Sequence, residues 1–394
     1  EEVTIPAGVT EIGDSAFSGC SALTSIKLPS KVTIVGKSLL RGCSGLEEII
    51  MSEDVTEIGS SAFYGCVNIK EIEIPEGVIE IGASAFYGCT ALEKIVIPKG
   101  VTTITKNLFY GCESLTSAIL STETVKIDGY AFYGCKALES ISIPKSVTEI
   151  GGCVFYDCAS LTEVVIPSGV LTIGNSLFSG CEMLEMVEIQ GSVTSIGSNA
   201  FQDCVNLTSI TIPETVVEID DSAFSGCSAL KEIDLPSNLS VLGKRAFNGC
   251  VLLTSVSFNE NTELTAINDN VFYGCELLAE IEIPVNVTLI DSNAFQDCVM
   301  LEKVTMTGEI AEIGNYAFYG CASLTEFNLG NSNIIDIGNF AFARNTELSL
   351  VMIPKATTIG TYAFVENMEE ASESDYISIM FSPTKRNSIL FRFS

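Results

Sequence analysis

The sequence predicts a single repeat solenoid, and three observations carry that expectation. A motif of 23 residues, Ile-Pro-x-x-Val-Thr-x-Ile-Gly-x-x-Ala-Phe-x-Gly-Cys-x-x-Leu-x-x-Ile-x, returns from the first residues almost to the last. Its Phe slot is filled sixteen times, running through Phe17, Leu40, Phe63, Phe86 and Phe109 to Phe342 and Phe364. Three residues after that slot stands a cysteine in fourteen of the sixteen copies, from Cys20 to Cys321. A fixed period of this length makes each copy one coil that buries its apolar face only against its neighbours. About sixteen coils at the ~4.8 Å spacing of paired strands would make a rod of roughly 75 Å.

Each segment of the coil has a physical reason. Val9-Thr10-Glu11-Ile12 is a short β-branched extended segment closed by Gly13. Asp14 to Cys20 reads as a short helical turn, in which Asp14 or Ser15 caps, Ala16 is small where coils approach, and Gly19 turns the chain back. Leu23 to Leu28 reads as the main strand, with Ile26 and Leu28 inward and Pro29 ending it at a corner. Stacking then builds two parallel sheets joined by short turns. The period lengthens to 25 between Phe247 and Phe272, near Asn259 to Glu263, and to 24 between Phe318 and Phe342, near 330–333. Insertions of this kind map to surface corners.

The expected organisation is a solenoid over 1–364 and a C-terminal cap over 365–394. After Phe364 a polar stretch, Glu366 to Ser374, precedes two strand-like runs, Tyr376 to Phe381 and Ser388 to Phe393, with Ser382 to Asn387 as the turn of a hairpin. A solenoid needs its last apolar face covered. The chain opens inside a repeat, at Glu1-Glu2-Val3-Thr4, which reads as the start of a mature or trimmed form.

Composition narrows the function. The formal charge of −30, from 50 acidic and 20 basic residues, opposes nucleic acid and anionic membranes as partners. At 47% hydrophobic residues the core is ample, and no apolar run reaches the ~18 residues of a membrane span. The chain has no histidine, so Ser-His-Asp and Cys-His catalysis and His-containing zinc sites are unavailable. The expectation is a non-enzyme with no cofactor and no metal. Acidic pairs such as Glu71/Glu73 and Glu280/Glu282 raise calcium only weakly, because no ligand loop accompanies them.

The cysteine column reads as buried free thiols. Parallel Cβ vectors oppose disulfides between rungs, and a column offers no four convergent thiolates for zinc. In the last two repeats the slot holds Asn345 and Asn367. Cys153, in the slot before Val154-Phe155, is the one thiol out of register. So many thiols fit a reducing or anaerobic setting.

The frame seen at Ile74 to Leu92, with its Ala-Phe-x-Gly-Cys segment, resembles the BspA-like, treponemal type of bacterial surface leucine-rich repeat, over about residues 3–364. The interchange of Cys with Asn in one ladder position is similar to leucine-rich repeats at large. The resemblance implies the β-rich end of the α/β horseshoe class. It also implies a secreted or cell-surface location, and adhesion to host or bacterial proteins as the role. It carries over no catalytic or ligand motif.

Function can sit only where outward slots vary. The slot after the Phe holds Tyr64, Tyr87, Tyr110, Tyr133 and Tyr156 in five consecutive coils, a stripe that would stack on sugars or anchor a protein, or would merely pack half-buried between coils. Flat exposed rings would favour a glycan, and edge-packed rings a structural spacer. The outward middle slot of the main strand holds Ile50, Val96, Ile119 and Val165 in its N-terminal half and is polar or acidic later. An exposed apolar patch on a sheet is a binding signal. A protein partner on this face is the first expectation, a glycan on the tyrosines the second, and a plain surface spacer the third. Oligomeric state is not legible.

Overall fold

The computed structural model describes residues 2–259, 262–329, 334–353, 358–365, 378–381 and 389–390. Two compact units emerge, Glu1–Val193 and Thr194–Ser394, and each is a stack of coils.

In the first unit the main strands pair in parallel, coil upon coil. Glu2–Thr4, Ser25–Lys27 and Glu48–Ile50 form one run, and Lys94–Val96, Ser117–Ile119, Ser140–Ile141, Glu163–Ile166 and Met186–Ile189 form another. Register is one period per step, so Val96 faces Ile119 and Val165 faces Glu188. A second column holds two-residue strands such as Glu57–Ile58, Glu80–Ile81 and Lys126–Ile127. The second unit repeats the plan. Glu232–Leu235 pairs with Ser255–Phe258, Glu280–Ile283 with Lys303–Met306, and Glu326–Asn328 with Leu350–Ile353. Beyond it Ser378–Phe381 adds in parallel to Leu350–Ile353 and pairs antiparallel with Ile389–Leu390. The expected turn at Ser382 to Asn387 and the polar stretch at Glu366 to Ser374 lie outside the described residues, as do parts of both corner insertions.

Main strands alternate between buried and exposed positions. In Glu163–Ile166, Val164 and Ile166 are buried while Glu163 and Val165 are exposed, as the period of two requires. Between the columns the phenylalanines stack ring on ring. Phe63, Phe86, Phe109, Phe132, Phe155 and Phe178 are fully buried, with successive centroids 5.2–5.7 Å apart. In the second unit Phe201, Phe224, Phe247, Phe272, Phe295 and Phe318 do the same at 5.1–5.7 Å. Beside them runs the thiol ladder. The Cys66 thiol donates to the Leu40 carbonyl at 3.2 Å, Cys89 to Phe63 at 3.2 Å and Cys112 to Phe86 at 3.2 Å. All fifteen cysteines are free, Cys20 exposed and Cys153 partly so.

The turn corrects one expectation. It is no helix; among the described residues no helix occurs. Within one turn Ala62, Tyr64 and Cys66 donate their N–H three residues back, to Gly59, Ser61 and Phe63. The alternate residues Ser61, Phe63 and Gly65 donate instead to the next coil, at Ala83, Ala85 and Tyr87, over 3.0, 2.8 and 2.7 Å. A helix would send every N–H back along its own axis. Residues in the left-handed region break that pattern: Ser61 has φ 57° and Gly65 has φ 72°.

The position before the small apolar residue is left-handed in every coil from Ser15 to Tyr362, and where the glycine is replaced Asp157, Asp203, Asp297 and Arg344 take φ of 58–63°. None of these occupants is β-branched, in keeping with the extra crowding that a second branch on Cβ meets at positive φ. Ser84→Val is therefore expected to lower stability by about 1–2 kcal/mol, with Ser84→Asn near neutral, as read by denaturant unfolding. Equal midpoints for the two variants would refute the steric account.

Candidate functional site

The main sheet places its outward middle slot in a row. Lys94-Ile95-Val96 lies against Ser117-Ala118-Ile119 in register; Ile95 and Ala118 turn into the core, and Val96 and Ile119 turn out, 54% and 59% exposed. Two unbranched backbones in register set their side chains about 5 Å apart. They form one continuous apolar patch. Ile50, 45% exposed, pairs with Lys27, and Val165, 40% exposed, with Glu188. Glu73 lies in the slot between Ile50 and Val96, and Ser142 between Ile119 and Val165. Of the four candidates, then, the fold brings Val96 and Ile119 together and sets Ile50 and Val165 beyond polar neighbours.

The tyrosine stripe is a closed column. Tyr64, Tyr87, Tyr110, Tyr133 and Tyr156 stack face to face, with centroids 4.5–4.6 Å apart and planes within 7°. The Arg41 guanidinium covers the outer face of Tyr64 at 4.6 Å. Each ring is half-buried. The spacing follows from the coil, because identical side chains one strand spacing apart settle into van der Waals contact. Sugar stacking needs a ring face, and the faces inside the column are taken by neighbouring rings. Burial, then the phenols of Tyr110 and Tyr64, push the Tyr87 hydroxyl above its usual range. Burial, followed by Tyr110, Tyr156 and Asp157, pushes Tyr133 up to about 12. These hydroxyls stay protonated donors at neutral pH.

Two apolar edges escaped the sequence reading. On the shoulder of the second column Ile79, Val125 and Leu171 are exposed in alternate coils, with Thr102 and Thr148 between them. In the second unit Leu252, Leu277 and Met300 hold one corner slot in consecutive coils, all exposed. The signal was present as a single slot that departs from its usual Thr, Ser or Ala. It is weak, because one residue per coil leaves no periodicity within the coil.

Among the described residues no group of three or more His, Cys, Asp or Glu is placed to hold a metal ion. No helix among them is long and apolar enough to cross a membrane.

The sequence model of the BspA type leucine rich repeat region matches residues 1–116, 56–185, 102–227, 148–265 and 257–370. Among solved structures, a leucine-rich repeat protein from Bacteroides ovatus is 30% identical, with 87% of this chain and 84% of that chain covered and a TM-score of 0.72. A leucine rich cell surface protein from Faecalibacterium prausnitzii is 25% identical, with 89% of this chain and 86% of that chain covered and a TM-score of 0.49. No curated protein matches the chain.

Proposed function

The chain belongs to the family of BspA type leucine rich repeat proteins, and from that membership we propose that it is a non-enzymatic, protein-binding scaffold, secreted or displayed at the cell surface. The observation that carries this reading is the Val96–Ile119 pair, two exposed branched side chains in register, flanked in their row by polar Glu73 and Ser142. Desolvating them against a partner is favourable by about 25 cal/mol per Å² of apolar area, whereas leaving them in water contributes nothing to the fold. Ile50 and Val165 extend the contact on either side. The parallel ladder from Lys94–Val96 to Met186–Ile189 holds Val96, Ile119 and Val165 at fixed spacing, so little ordering entropy is lost on binding.

Surface display rests on what the family is generally used for. The glycan alternative loses support from the tyrosine column, whose inner ring faces are engaged by one another. The test is a binding screen of the whole chain against purified extracellular-matrix proteins and a glycan array, run beside Val96→Glu/Ile119→Glu. A protein ligand that binds the variant at least about tenfold more weakly is the expected result. A glycan ligand, or a protein ligand indifferent to the substitutions, would overturn the assignment.

A further inference from the structure

At the turn edge of the first unit, Gly129 and Gly152 leave a hollow of about 480 Å³, walled by Lys106, Asp128, Tyr130 and Cys153. Both glycines occupy the same slot of successive coils, two residues before the small apolar residue of the turn.

Hydrogen-bond accounting shows what that slot does in four other coils. Its backbone N–H points along the stack towards the side chain that held the slot one coil earlier. The Lys37 N–H donates to Asp14 Oδ1 at 2.9 Å and the Lys244 N–H to Asp221 Oδ1 at 2.7 Å. The Asn339 and Thr361 N–H groups donate to Asn315 and Asn339 Oδ1, both at 2.7 Å. Within this one chain, then, a carboxylate or amide oxygen serves the position four times.

Among the described residues other coils also leave this N–H without a side-chain acceptor, as at Ser60 after Lys37, but here the two positions line a hollow together with Lys106. The residue before Gly129 in the row is Lys106, a donor with no acceptor atom. The residue before Gly152 is Gly129, which has no side chain at all. Neither the Gly129 nor the Gly152 N–H has a hydrogen-bond acceptor among the described residues. A Cβ placed on Gly129 would stand 3.1 Å from the Gly152 carbonyl oxygen and 3.9 Å from its nitrogen, on the side from which an aspartate oxygen reaches the N–H elsewhere. Removing the side chain therefore opens the same donor to a ligand. The Lys106 ammonium lies 5.8 Å from the centre of the Tyr130 ring and has no ion-pair partner among the described residues. The one acid on the wall, Asp128, is held by Lys126 at 3.2 Å, which also binds Glu149 at 3.0 Å.

We propose that this hollow binds a carboxylate group of a small ligand. One oxygen accepts the Gly152 N–H, in the place that Asp14 or Asp221 fills in its own coil. The other faces the Lys106 ammonium, and the ligand body lies along the Tyr130 ring. A charge-assisted bond to an amide donor is the stronger kind, and the fixed backbone costs nothing to organise. A peptide C-terminus and an acidic sugar both carry this group. The site is separate from the Val96–Ile119 face, so the two assignments stand or fall independently.

The test follows the glycine amide resonances of the full chain, labelled with 15N at glycine, during titration with N-acetylalanine, glucuronate and the neutral N-acetylalaninamide. At least one carboxylate is expected to move the Gly129 and Gly152 signals saturably in the millimolar range, and the neutral amide to leave them still. A response to N-acetylalanine alone points to a peptide C-terminus, and one to glucuronate alone to an acidic sugar. Gly129→Asp supplies the chain's own carboxylate and is expected to abolish the response with the fold intact by circular dichroism, at a lower melting temperature because its Cβ meets the Gly152 carbonyl at 3.1 Å. Lys106→Ser, at an exposed position, is expected to weaken binding about threefold or more. Equal shifts with the neutral amide, undiminished binding by both variants, or no shift with either carboxylate would overturn the proposal.

Discussion

Raising the pH from about 8 to about 10 is expected to lower the stability of the first unit by several kcal/mol. The cause is the thiol ladder. Burial pushes Cys66 and Cys112 up to about 12 from an ordinary value of 9.0. It raises Cys89, Cys135 and Cys158 as well, burial again being the largest cause. The sign follows from which state can ionise. Below the unfolded value both states keep the proton and stability is whole. Above it the unfolded thiols ionise while the folded ones cannot, so stability falls with rising pH until the folded value is reached. One pH unit above the unfolded value, a thiol that stays protonated in the fold contributes about 1 kcal/mol, so Cys66 and Cys112 alone account for a few kcal/mol of the roughly 5–15 kcal/mol of a typical domain, and the other buried thiols add to it. Tyr87 and Tyr133 shift in the same direction and add to the loss. Urea unfolding followed across this range checks it. The variant Cys89→Ala/Cys112→Ala/Cys135→Ala is expected to be less stable at neutral pH yet to lose stability more shallowly above it, by about three protons. An unchanged pH slope in that variant would show that the thiols are not the groups that titrate.

Phe132→Ala is expected to destabilise the first unit by about 3–5 kcal/mol. The ring is fully buried and stacks on Phe109 at 5.2 Å and Phe155 at 5.7 Å. Truncation therefore leaves a void between two rings that are themselves fixed by their own neighbours and have little room to collapse. Because a coil touches only adjacent coils, the damage should be local. Hydrogen exchange is expected to quicken first in the coils of Phe109, Phe132 and Phe155, ahead of that around Phe63. A loss below about 1 kcal/mol, or uniform quickening along the unit, would contradict nearest-neighbour stacking.

Much of this was legible before any coordinates. Phe132 and Cys135 sit three apart in a strict period, and the period alone places each in a buried column. Val96 and Ile119 are outward because Ile95 and Ala118, their strand neighbours, must be inward. The handedness of the turn was not legible. Asp14-Ser15-Ala16 reads like a helix start, yet Ser15 takes φ 60°, because bonds to the next coil outweigh local propensity. The signal was one of exclusion: Tyr130, Cys153 and Arg245 share a slot with Ser and Asn, and no β-branched residue ever enters it. Ring stacking in the tyrosine column depends on coil spacing, which a residue pattern fixes only once the coil is known. The hollow at Gly129 and Gly152 was least visible, since it is made by missing side chains and by N–H groups whose usual acceptors lie one coil away.

The most direct test of the functional assignment compares two variants against the same protein ligand. One is Val96→Glu/Ile119→Glu on the sheet, and the other is Tyr87→Ser/Tyr110→Ser/Tyr133→Ser in the column, both checked for an intact fold by circular dichroism. Binding through the sheet predicts a loss of at least about tenfold in the first and wild-type affinity in the second. The reverse order, with the tyrosine variant losing its ligand and the sheet variant keeping it, would contradict the assignment.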